Sequence, residues 1–99
     1  MKYPVVTLCG STRFKEDFER VNRELTLRGW VVLSVGCFGH SGDIFSDEEK
    51  IMLDEIHKQK IDMADAIYVI NRDNYIGEST RSEIEYAKKH DKVIMYMLQ

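Results

Sequence analysis

The run Gly77-Glu78-Ser79-Thr80-Arg81-Ser82-Glu83-Ile84-Glu85-Tyr86-Ala87 follows an apolar segment and reads as a polar loop that opens a helix. Backbone N–H groups converge at a helix start, and with the hydroxyls of Ser79 and Thr80 they make a cradle for an anion. Glu83 projects beside whatever the cradle holds, which places a carboxylate nucleophile next to a phosphate seat. A local reading competes: Thr80-x-x-Glu83 is also a capping box, in which the carboxylate only satisfies the N-cap amide. A second loop of the same character, Gly10-Ser11-Thr12-Arg13, follows the first apolar run. There Gly10 lets a ligand approach the backbone, Ser11 and the next helix N-terminus bind phosphate oxygens, and Arg13 adds a charged fork. Its plain alternative is a tight turn with an N-cap hydroxyl. The loop lacks the Lys and the spacing of a Walker loop, so a monophosphate or a sugar fits it better than a triphosphate.

Other polar side chains divide by position. His57 lies four residues after Leu53 and four before Ile61, so it shares their helix face and points inward, either as a hydrogen-bonded core residue or as a proton donor. Asp65 and Asp73 bracket the apolar run at 66–70; Asp65 reads as a turn residue at the far end, and Asp73 sits at the chemically useful end. His40 and His90 have no partners at metal-ligand spacing, and Cys9 and Cys37 are too few and too far apart for a zinc knuckle. No metal is therefore expected. Free thiols and the lack of a secretory or membrane segment point to a reducing cytoplasm.

These residues need elements to hold them. The spacing predicts a strand over 5–9, then a helix with Phe14, Phe18, Val21 and Leu25 on one face that Gly29 stops at its C′ position. A second strand is expected over 30–35, and a loop over 36–43 with three glycines. Ser46-x-x-Glu49 caps a helix running to about Met63, with Leu53, Ile56, Lys60 and Ile61 on its inner face. A third strand over 66–70, a helix over 83–90 and a fourth strand over 93–98 complete the chain. This βαβα alternation predicts an α/β fold, a small doubly wound parallel sheet of four strands in the order 2-1-3-4 with three main helices. Ligands bind such sheets beyond the carboxyl ends of the strands at the switch point, here between strands 1 and 3. Both polar loops converge there.

With 99 residues, 43% hydrophobic and 31% charged, the chain is expected to form one compact domain over 1–99. Fourteen basic and seventeen acidic residues give a net charge of -3, and the basic ones are scattered among the acidic, which disfavours a nucleic acid polymer as partner. No membrane association is expected.

Cys9-Gly10-Ser11-Thr12-Arg13 after the first strand, Ala64-Asp65 leading into the third, and Ser79-Thr80-x-x-Glu83-x-x-x-Ala87 together resemble the nucleoside 2-deoxyribosyltransferase superfamily, including its 2′-deoxynucleoside 5′-phosphate N-hydrolases. The resemblance spans nearly the whole chain in matching order. It implies a flavodoxin-like fold, with Glu83 as the nucleophile that attacks the anomeric carbon. It also implies that Ser11, Arg13 and Ser79 surround the sugar or its 5′-phosphate, and that no metal or organic cofactor is needed. Where those enzymes carry an Asp that assists base departure, this sequence has His57. Members of the superfamily also continue past strand 4 into a tail that completes a neighbouring subunit's site, which implies a homodimer.

The expected activity is retaining cleavage of an N-glycosidic bond in a nucleoside or nucleoside 5′-monophosphate, or base exchange on it, with Glu83 as nucleophile. His57, Asp73 or solvent protonates the departing base. Gly10, Ser11, Thr12, Arg13, Gly77, Ser79 and Thr80 hold the substrate. Two other classes remain open: a catalytically silent nucleotide-binding or sensing module, and an interaction domain pairing through a helix face or the apolar edge over 93–98.

Overall fold

The computed structural model describes residues 2–38 and 44–99. Most of the expected loop over 36–43, including His40, lies outside the described residues.

The sheet is built around β1 (Val5–Gly10), whose Val6, Thr7, Leu8 and Cys9 are all fully buried, as a strand covered on both faces requires. Its side chains alternate. Val6 and Leu8 face α1 (Lys15–Leu27) and pack with Phe18, Val21, Leu25, Ala66 and Ile70. Thr7 and Cys9 turn to the opposite face, where Cys9 packs with Ile61, Ile67, Val69, Ile84 and Ala87. That second layer is supplied by α2 (Asp47–Asp62), β3 (Ala66–Ile70) and α3 (Glu78–Lys89). With β2 (Val31–Leu33) and β4 (Val93–Tyr96) the strands run in the order β2-β1-β3-β4, all parallel, as the sequence predicts. Among the described residues no helix is long and apolar enough to cross a membrane.

Local chemistry sets the boundaries. Gly29 takes φ +95° after the Arg28 cap; its N–H donates to the Thr26 carbonyl and that of Trp30 to the Leu25 carbonyl, closing α1 in a Schellman motif. Trp30 thereby spends its amide on the helix end, and β2 begins one residue later than expected. Lys60 Nζ donates to the Ser34 carbonyl at 2.6 Å, so β2 stops before it, short of the expected residue 35. Strand β4 is likewise shorter than expected, because Leu98 is held by a side chain: Asn71 Nδ2 donates to its carbonyl at 3.0 Å, and its N–H donates to Asn71 Oδ1 at 2.8 Å. The capping box on α2 is present in both directions, Glu49 N–H to Ser46 Oγ at 3.1 Å and Ser46 N–H to Glu49 Oε1 at 3.0 Å.

Two expectations need correction. Helix α3 begins at Glu78 with Gly77 as N-cap, five residues before the expected start at 83, so Thr80 and Glu83 lie inside the helix and form no capping box. Thr80, Glu83, Ile84 and Ala87 are its buried residues, spaced i, i+3, i+4, i+7, and this stripe needs the extra turn to seat it on the sheet. On α2, Ile56 is 43% exposed, and only His57 and Ile61 are buried. The inner face is rotated from the expected one, and a histidine occupies the place an aliphatic side chain would take.

Candidate active site

Beyond the carboxyl ends of β1 and β3 lies a cavity of about 750 Å³. The loop after β1 contributes Gly10, Ser11, Thr12 and Arg13, and the opening turn of α3 contributes Gly77, Glu78, Ser79 and Thr80. The two polar loops therefore face one space. Asp54, His57 and Lys60 line it from α2, and Glu83 lines it from α3.

The loops do more structural work than the sequence suggested. Gly10 has φ +155°, and a Cβ there would stand 2.8 Å from the Ile70 carbonyl oxygen. The glycine lets β1 and β3 approach each other at their last paired residues, in addition to lining the cavity. Ser11 Oγ accepts from the Arg13 N–H at 3.3 Å, as the N-cap of the 3-10 turn Thr12–Phe14. The Arg13 guanidinium lies over the Tyr75 ring, 4.3 Å from its centroid, and one of its nitrogens is 3.5 Å from the Tyr75 hydroxyl. Among the described residues no side chain caps the start of α3. Its first amides border the cavity through Glu78, Ser79 and Thr80, with Ser79 exposed and Thr80 buried.

The floor of the cavity is a cluster of three titratable groups from three elements. Strand alternation aims Cys9 at α2 and α3, and the buried faces of those helices offer His57 and Glu83 in return. Cys9 Sγ is 3.5 Å from His57 Nε2, and His57 Nε2 is 3.7 Å from Glu83 Oε1. His57 is 7% exposed and Glu83 9%. Burial pushes the Glu83 carboxyl up to about 7, with the nearby Asp54 charge adding to the rise, while the Cys9 thiol, donating to the carboxylate, and Lys58 pull it back. Burial also drives His57 down to about 4, helped by Lys60 and opposed by Asp54 and by a hydrogen bond to the Leu8 backbone. The Cys9 thiol is pushed well above its usual range, first by burial and then by Glu83. The His57–Glu83 contact is thus not an ion pair at neutral pH: the imidazole is uncharged and the carboxyl is near half ionisation.

Asp73 falls elsewhere. It is exposed in the 3-10 turn Arg72–Asn74, with φ +57°, and does not line the cavity. Two further carboxylates share the cavity with Glu83: Glu78 from the opening turn of α3, and, from α2, Asp54, which the sequence reading passed over. A signal for it existed, because Asp54 is three residues before His57 and on the same side of the helix. Cys9 was also legible as a neighbour, since period-two alternation from the buried Thr7 sends it to the helix-covered face beside Gly10. Asp65 does act at the far end, where its Oδ2 accepts from the Val5 N–H at 2.8 Å.

Neither a scan against protein-family models nor a search of curated proteins gave a match to this chain.

Proposed function

We propose that this cavity cleaves the N-glycosidic bond of a nucleoside or nucleoside 5′-monophosphate, or exchanges its base, through a glycosyl-enzyme on Glu83. The observation that carries the reading is the buried Glu83 carboxyl on the cavity floor, poised near neutrality at about 7. A carboxylate stripped of water attacks an electrophilic carbon more readily than a solvated one, and burial here supplies that stripping. Its oxygen forms a bond to C1′ while the C1′–N bond breaks, and the bonding pair leaves with the base nitrogen. In the second half, water or another base attacks C1′ from the opposite side and returns the electron pair to Glu83, so configuration at C1′ is retained.

The other cavity groups take supporting roles. Asp54 faces the same space, close enough for its charge to act on Glu83, and manages the proton of the departing base. His57, uncharged at neutral pH and turned toward Cys9 and Glu83, orients the nucleophile rather than donating a proton. Arg13, Ser11 and the uncapped first turn of α3 suit a sugar or a 5′-phosphate, whose binding holds C1′ against Glu83. A homodimer belongs to the same reading, supported by exposed Ile51, Met52 and Ile56 on α2, and sedimentation checks it.

Incubation with ribo- and deoxyribonucleosides, their 5′-monophosphates and NAD, followed by chromatography for free base, tests the reaction. Base release is expected from the parent and none from Glu83→Gln, with a sugar adduct on Glu83 in the mass spectrum of the quenched parent. Release that persists in Glu83→Gln refutes the nucleophile. A nucleotide-dependent thermal shift without release from any substrate replaces the enzyme with a binding module.

A further inference from the structure

We infer that Cys9, His57 and Glu83 form a binding site for a thiophilic divalent cation of the zinc class, with a coordination position open to the cavity. The inference goes beyond the glycosidase reading and holds whether or not Glu83 is a nucleophile. One sulfur, one nitrogen and one carboxylate oxygen from β1, α2 and α3 lie within 4.8 Å of one another. A tetrahedral centre with bonds of about 2.3 Å to sulfur and about 2.05 Å to nitrogen and oxygen separates its S and N ligands by about 3.6 Å and its N and O ligands by about 3.4 Å. The protein already sets Cys9 Sγ and His57 Nε2 at 3.5 Å, and His57 Nε2 and Glu83 Oε1 at 3.7 Å. These two separations match tetrahedral coordination to within a few tenths of an ångström before any side chain moves, and the third, Cys9 Sγ to Glu83, lies within 4.8 Å, against about 3.6 Å at such a centre.

Donor chemistry selects the ion. A thiolate and an imidazole favour zinc and its soft neighbours over calcium or magnesium, which require oxygen ligands. Charge also balances. Loss of the Cys9 thiol proton to solvent, with Glu83 ionised and His57 neutral, gives the ligands two negative charges, and a divalent cation makes the buried centre neutral. The hydrogen bond of the His57 ring to the Leu8 backbone is the kind of outer contact that fixes a ligating imidazole. His57 and Glu83 line the cavity while Cys9 lies fully buried behind them, so the ion enters from the cavity and keeps one position facing it. Once coordinated, Glu83 is no longer free to attack a substrate, and the ion acts as a reversible block on the proposed reaction.

Cobalt(II) gives a direct readout. The full chain carrying Cys37→Ser, which removes the exposed second thiol, is treated with chelator, dialysed and titrated with Co²⁺. One equivalent is expected to produce a sulfur-to-cobalt charge-transfer band in the near ultraviolet and intense visible bands of a four-coordinate ion, both abolished by Zn²⁺. Cys9→Ser should lose the charge-transfer band. Glu83→Gln, which keeps the thiol, should retain the band while binding at least about tenfold more weakly. Circular dichroism confirms that each variant is folded; should Cys9→Ser fail to fold, the Glu83→Gln affinity decides. Absence of the bands from the Cys37→Ser protein, their persistence in a folded Cys9→Ser variant, or unchanged affinity in Glu83→Gln overturns the site.

Discussion

Glu83→Gln should change how stability depends on pH, in a direction fixed by two opposed titrations in one buried cluster. Glu83 rises from 4.5 to about 7 on folding, so its contribution is fully present below pH 4.5 and is lost as pH rises through 7. His57 falls from 6.5 to about 4, so its contribution is fully present above pH 6.5 and is lost as pH falls through 4. Each displacement is worth about 3 kcal/mol, at about 1.36 kcal/mol per pH unit. Between pH 4.5 and 6.5 the slopes cancel, and the parent is flat with respect to this pair. Burial is the largest cause of both shifts, so removing one residue leaves most of the other's slope in place. Glu83→Gln should therefore gain about 3 kcal/mol relative to the parent between pH 4.5 and 7, and His57→Gln should lose a similar amount between pH 4 and 6.5. Urea denaturation at half-unit pH steps, with chelator present, measures both. The half-buried Asp17, whose carboxyl Arg72 holds below its usual range, lies outside the cluster, titrates alike in every variant and drops out of the difference. A parallel offset of Glu83→Gln from the parent at every pH would refute the account of a buried carboxyl that keeps its proton to neutrality.

Two other substitutions probe the scaffold. Gly10→Ala combines φ +155° with a Cβ 2.8 Å from the Ile70 carbonyl oxygen, and should lower the urea-derived stability by about 1–3 kcal/mol or more as β1 and β3 are forced apart. Ser46→Ala removes one half of the α2 capping box and should cost about 1 kcal/mol, seen as a lower thermal midpoint.

The sequence alone determined what depends on periodicity and local backbone chemistry. The alternation of apolar runs and helical stripes is enough to specify a parallel sheet and its strand order, because right-handed crossovers leave few other arrangements. Gly29 and the Ser46–Glu49 box marked their helix ends because caps are made by neighbours in the chain. The two polar loops were legible as one crevice because both follow strands that meet at the switch point. What failed were features set by partners far along the chain. The limits of β2 and β4 depend on Lys60 reaching Ser34 and Asn71 reaching Leu98, and no local pattern reveals such bonds. The same holds for the cavity floor. Cys9, His57 and Glu83 each look ordinary in the sequence, separated by 48 and then 26 residues, and only the packing of β1, α2 and α3 brings them within a few ångströms. Their ionisation is a tertiary property as well, since burial is the largest cause of each shift and exists only once the sheet and its helices have closed over them.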